Sequence, residues 1–258
     1  MTDLNTWRIT AIKNLDGFIA RLNTLTPDQW QAQTPDEGWE VRHLAAHLVG
    51  TTAYVTGMLC KIVAPDGEAG NPQPVEVTPD SPTRDIISNL QVARDRQAEA
   101  LAQLTEDDLP KLADNPNPYF TPNGELYLTM ATFESGIHRY DLEAALDPAS
   151  ATLDTDTVAS IDSMFGGNLP TLATMGQVTP DAPLVYRFSG SNVQHVLSWN
   201  GEAWIGEPVD NAPIATIAGS DEALVLFMCG RIPVSDPGLR IEGDSDLAGQ
   251  FKSYVPGP

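Results

Sequence analysis

Near the N-terminus, apolar residues recur every three to four positions. Leu4, Trp7, Ile12, Leu15, Ile19 and Leu22 fall on one face of a helix, which ends before the turn Thr26-Pro27-Asp28. From Val41 to about Val63 the chain is rich in apolar residues and predicts a long buried helix, stopped by Ala64-Pro65-Asp66-Gly67. Within it, Leu44 to Cys60 carries no Asp, Glu, Lys or Arg. At about 17 residues this stretch is short of the roughly 20 that a membrane span needs, and it contains His47, Gly50, Thr51, Thr52 and Gly57, so a bundle helix is the better reading. The following Pro-, Gly- and acid-rich segment, through Pro82, predicts a loop or flap. Asp80-Ser81-Pro82-Thr83 then offers an N-cap and an early proline for a third helix, with Ile86, Ile87, Leu90, Ala93 and Leu101 on one face. After loop signals at Asn115-Pro116-Asn117-Pro118 and Pro122-Asn123-Gly124, a fourth helix is predicted from about Glu125 to Leu146. Four long consecutive helices suit an up-and-down bundle, with one connection long enough to leave their order open.

Beyond Asp147-Pro148 the pattern changes. One more helix is expected over Val158 to Leu169. Leu184 to Phe188, Val193 to Trp199, Ala203 to Gly206 and Pro213 to Ala218 are short β-branched and aromatic runs separated by Gly, Asn and Pro, as strands are. Helical spacing returns from Ser220 to Cys229, with Ser220 as N-cap and Gly230 as the stop. The expected architecture is a helical bundle over residues 1–148 followed by a small α+β domain over 149–258.

A length of 258 residues and 41% hydrophobic content suffice for a real core. Charge narrows the partners: 35 acidic against 14 basic side chains give a formal net charge of −21, so no positive face is expected for nucleic acid or anionic membrane. Cys60 and Cys229 are the only cysteines, too few for a disulfide framework, which points to a reducing compartment. The opening residues Met1 to Arg8 have neither a basic nor an apolar leader region, so the expected location is cytoplasmic.

The candidate chemistry lies in the histidines, at positions 43, 47, 138 and 195. Glu134 and His138, four residues apart on the fourth helix, leave it from one face, as two ligands of one ion must. A third ligand has to come from another helix, and His47, alone among Leu and Ala, needs a buried partner. Spacing alone equally describes a surface Glu–His pair and a hydrogen-bonded core histidine. Cys60 is 13 residues beyond His47, about 20 Å along a helix, and is excluded from the same ion. Cys229 reads as core and His195 as an ordinary sheet residue.

The neighbouring residues add a resemblance. Gly38-Trp39-Glu40-Val41-Arg42-His43-Leu44-Ala45-Ala46-His47-Leu48 resembles the W-s-V-x-d-L-x-A-H-L element of the mycothiol-dependent maleylpyruvate isomerase family, a branch of the DinB-like metal-binding bundles. Glu134-Ser135-Gly136-Ile137-His138-Arg139-Tyr140-Asp141 is similar to its E-x-x-x-H-R-x-D element, and the segment from Gly219 to Arg231, with Gly243-Asp244 after it, to part of its sterol-carrier-like second domain. The resemblance covers nearly the whole chain. It implies a DinB-like four-helix bundle whose metal ligands are His47, Glu134 and His138. Zinc is the expected ion, since three protein ligands with one exchangeable position make a catalytic site.

The resemblance further implies a low-molecular-weight thiol, mycothiol or ergothioneine, as cosubstrate and a small electrophile, a carboxylate-bearing enone, as substrate. A thiolate held by the metal would add to the cis double bond of maleylpyruvate, the new single bond would rotate, and elimination would release the trans isomer fumarylpyruvate. Relatives that do not isomerise would transfer the thiol instead. Arg231 is implied to face the cleft between domains and to clamp a substrate carboxylate or the cosubstrate. Arg139 and Asp141, beside His138, are candidates to orient a ligand. The family usually has Asp where this chain has His43, which is a candidate for an added ligand, a base or a supporting residue. Two other functions share these features: a metal-dependent hydrolase with water in the open position, and a non-enzymatic carrier of a small apolar ligand.

Overall fold

A computed structural model describes residues 3–64 and 77–256, so most of the expected loop before Pro82 lies outside the described residues. Contacts divide the chain into Met1–Ser160 and Ile161–Pro258. The division falls beyond the Asp147-Pro148 turn, because residues 149–160 group with the helices.

Among the described residues the first unit holds four long helices: α1 (Leu4–Leu22), α2 (Val41–Val63), α3 (Thr83–Gln103) and α4 (Gly124–Leu146). α1 packs on α4 and α3, and α2 packs on α3 and α4, so the helices close a ring in the order α1, α4, α2, α3. His47 meets Glu134 while Tyr54 meets Tyr127, which makes α2 and α4 antiparallel. The uncharged stretch of α2 goes into the core: Leu44, Leu48, Val49 and Leu59 are fully buried. At about 1.5–3 kcal/mol for each such side chain, this burial fixes which face of α2 turns inward and therefore where His47 points. Among the described residues no helix is long and apolar enough to cross a membrane.

Helix starts follow local chemistry. The Asp3 and Asn123 side chains accept backbone N–H groups at the first turns of α1 and α4. α3 departs from expectation: Pro82 itself is the N-cap, and Ser81 instead accepts the Thr78 N–H within the preceding turn.

Helix α5 (Thr155–Met164) crosses the division between the units. The second unit continues with α6 (Leu169–Met175), β1 (Leu184–Ser189), β2 (Gln194–Trp199), β3 (Trp204–Ile205), β4 (Ile214–Gly219), α7 (Asp221–Met228), β5 (Leu239–Gly243) and α8 (Ser245–Tyr254). The single helix expected over Val158 to Leu169 is thus two, separated by a 3-10 turn over Gly166–Asn168 that begins at the Gly166-Gly167 pair. The five strands have the order β3-β2-β1-β4-β5, with β1 and β4 parallel and the other neighbours antiparallel. Tyr186 and Phe188 of β1, Phe227 of α7 and Phe251 of α8 stack edge and face to make the core beneath the sheet.

Candidate metal centre

His47 lies on α2 and Glu134 and His138 lie on α4, and the fold brings one ligand atom from each within 4.8 Å of the others. The His47 Nε2 stands 3.4 Å from Glu134 Oε2, and the His138 Nε2 stands 3.3 Å from the same oxygen. These gaps are long for charge-assisted hydrogen bonds, which close to about 2.7–2.9 Å. They match the edges of a tetrahedral shell, where ligand atoms ~2.0–2.2 Å from one ion stand ~3.3–3.6 Å apart. Two imidazoles and one carboxylate are also a donor set that zinc takes. The residues present therefore fit a divalent ion.

The surroundings orient the donors. The His138 Nδ1–H donates to Asp141 Oδ2 at 3.0 Å, since a carboxylate only accepts, and this directs Nε2 toward Glu134. Asp141 is fully buried and His138 nearly so. Trp39 sits against both rings, 4.9 Å from His47 and 6.3 Å from His138 between centroids. Thr51, one turn beyond His47, brings its hydroxyl 3.1 Å from His47 Nε2.

The electrostatics follow from the geometry. Burial pushes the Glu134 carboxyl upward, but hydrogen bonds and charge from His138 and His47 outweigh it and hold it at about 2. Burial pushes the His138 imidazole downward, but the bonds to Asp141 and Glu134 and their charges raise it to about 9. Without an ion, the protonated His138 ring directs its Nδ1–H to Asp141 and its Nε2–H toward Glu134.

The model of the mycothiol maleylpyruvate isomerase N-terminal domain matches residues 14–143, half of the chain, which include both helices of the site. The chain belongs to the mycothiol maleylpyruvate isomerase family. Two solved structures are similar over 93% of this chain and 93% of theirs. One is a histidine-to-alanine mutant of the mycothiol-dependent maleylpyruvate isomerase, at 13% identity and a TM-score of 0.66. The other is the mycothiol-dependent maleylpyruvate isomerase, at 16% identity and a TM-score of 0.56. At these identities the likeness is one of fold alone. No curated protein sequence matches the chain.

The other residues singled out from the sequence take separate places. His43 is outside the ligand cluster: it occupies the first turn of α2, where its Nδ1 accepts the Glu40 N–H at 3.3 Å and the Glu40 side chain returns the bond in a capping box. In the second unit, Arg231 follows α7, is nearly buried and donates to the Cys229 carbonyl at 3.0 Å. Arg139 leaves α4 toward α1, donating to Asn14 Oδ1, and its guanidinium lies against Gly17. Cys60 and Cys229 form no disulfide. His195 is more than a plain sheet residue, since its Nε2 meets Asp162 Oδ1 at 2.6 Å.

Sequence reasoning missed Thr51 and Asp36. Asp36 joins His138 and Asp141 in a second cluster of ligand-type atoms. Thr51 could have been found by helical spacing from His47, whereas Asp36 sits in a turn, where no periodicity marks it.

Proposed function

We propose that this chain is a thiol-dependent isomerase that converts maleylpyruvate to fumarylpyruvate, or carries out a related thiol transfer, with a divalent ion held by His47, Glu134 and His138. The observation that supports the ion is the pair of 3.3 and 3.4 Å gaps around Glu134 Oε2, spaced as ligands and too wide for strong hydrogen bonds. Zinc is the preferred ion for this donor set, and mycothiol, the thiol named for both solved relatives, is the preferred cosubstrate.

When bound, the ion supplies Lewis acidity that favours the deprotonated form of a thiol at neutral pH. The chain's own residues do the rest. Asp141 fixes the His138 ring through Nδ1, so that Nε2 is presented in one direction. Trp39 covers the two imidazoles and limits access of water beside them. The Thr51 hydroxyl, at His47 Nε2, is placed to donate to a sulfur or oxygen arriving there. The isomerisation itself balances without a further reactant: sulfur adds to one alkene carbon, the single bond rotates, and expulsion of sulfur restores the double bond and the thiol. For Arg231, the role in this reading is to pair with a substrate carboxylate, and the anchoring of its Nη1 on the Cys229 carbonyl supports a fixed guanidinium plane.

The test is metal analysis joined to activity. About one divalent ion per chain is expected, lost in His47→Ala and in His138→Ala, with maleylpyruvate turnover only when mycothiol is present. A wild type that takes up no ion when supplied with zinc overturns the metal site, and turnover without any thiol overturns the thiol reading in favour of hydrolysis.

A further inference from the structure

From His47 the outward face of α2 continues through Gly50 and Thr51 to Tyr54, two turns or about 10 Å along the axis. The path is open at Gly50: a Cβ added there would meet no atom within 4 Å among the described residues. Its start is polar, because the Thr51 hydroxyl is at the His47 ring. Its end is a tyrosine pair. Tyr54 is 43% exposed, and its ring meets the buried Tyr127 of α4 edge-on with centroids 6.2 Å apart. Asn115, from the loop before α4, donates through Nδ2 to both phenols, at 2.7 Å to Tyr54 and 2.9 Å to Tyr127.

That arrangement leaves binding capacity unspent. Each phenol oxygen accepts from Asn115 and the two phenols share a hydrogen bond, so one O–H is still available to donate, and the Asn115 Oδ1 makes none of the described bonds. Tyr54 is held by its oxygen while its ring remains accessible. An aromatic face beside a neutral hydroxyl donor and an amide acceptor complements a ring that carries C–H groups on its faces and hydroxyls on its rim. The cluster of Tyr54, Asn115 and Tyr127 contains no charged side chain, which disfavours a carboxylate as its ligand.

We propose that Thr51, Tyr54 and Asn115 form a subsite for the hydroxyl-rich, sugar- or polyol-bearing body of the thiol cosubstrate. The subsite rests on the thiol-dependent reading above, with the sulfur at the end of the path near His47 and the sugar about 10 Å away at Tyr54. A compact thiol whose body ends within one helical turn of its sulfur does not reach it. Tyr54 and Asn115 are thus specificity residues for the cosubstrate, and the electrophile does not touch them.

The experiment is equilibrium binding of S-methyl mycothiol, whose sulfur cannot become a thiolate, to the zinc-loaded protein by calorimetry. Tyr54→Leu and Asn115→Ala are each expected to weaken it by about tenfold, with zinc content unchanged. Tyr54→Phe, which keeps the ring and loses the hydroxyl, falls between. In turnover the same variants raise KM for mycothiol and leave kcat at saturating thiol and KM for the electrophile as in wild type. Unchanged binding in both Tyr54→Leu and Asn115→Ala overturns the subsite, as does a wild type that does not bind the probe. Thiol-dependent turnover with an unaltered KM for mycothiol in the variants defeats the subsite alone, whereas failure to take up zinc or to require a thiol defeats the underlying reading.

Discussion

At the scale of single residues, His138 decides how the centre responds to pH. In the metal-free protein its imidazole is raised to about 9 from an ordinary value of 6.5, so it is protonated at pH 7. An ion that takes Nε2 must displace that proton. Zinc binding at pH 7 is therefore expected to release about one proton per chain from this site, read as a dependence of the calorimetric heat on buffer ionisation enthalpy. The metal-free stability follows the same groups. A raised histidine contributes stability that is full below 6.5 and is lost as pH rises through about 9. A depressed carboxyl contributes stability that is full above 4.5 and is lost as pH falls through about 2. The contribution of this pair is greatest between pH 4.5 and 6.5, and melting temperatures in chelator should peak there and fall toward alkaline pH. His138→Gln should flatten the alkaline limb.

At the scale of elements, one glycine sets how α5 joins the bundle. Gly136 lies between the two α4 ligands, and a Cβ there would come 2.2 Å from the Thr157 methyl and 3.2 Å from Asn14 Nδ2. Thr157 is buried and bonded to Asn14 through its hydroxyl. Gly136→Ala is expected to cost about 1–3 kcal/mol by overpacking, less the roughly 1 kcal/mol that alanine gains in a helix. Thr157→Ser, which deletes the methyl and keeps the hydroxyl, should recover part of the loss in the double variant, measured by chemical denaturation. The elements the sequence revealed are those whose burial is periodic or continuous. The bounds Val41 to Val63 agree with α2 because apolar residues predominate from one end of it to the other, and four strands were legible from β-branched runs between turn residues. β5, in contrast, is an edge strand whose alternation, Leu239-Arg240-Ile241-Glu242, spans only four residues and is only half-buried, too little to announce it. The candidate centre was legible only in part from spacing, since Glu134 and His138 share a helical face and His47 interrupts an apolar run; the resemblance of the residues around them singled out the three. Tyr54 and Asn115 were not legible, since their partnership joins a helix to a loop 61 residues away.

At the scale of the whole molecule, the parallel pairing of β1 with β4 has a consequence for the order in which the chain folds. β2 pairs with both β1 and β3 through short connections, so these strands can find each other locally. β4 can take its place beside β1 only after the chain of β2 and β3 has been closed off as a loop, and β5 in turn needs β4. The helices α2 and α4 likewise meet across a long separation, but each can form alone before they dock. The sheet-bearing unit should therefore be the slower to complete. Trp199 and Trp204 report on it, and Trp7, Trp30 and Trp39 report on the helical unit. Refolding of a variant that keeps only Trp199 and Trp204 should show a slower final fluorescence phase than one that keeps only Trp7, Trp30 and Trp39, and equal rates would remove β1–β4 closure as the limiting event.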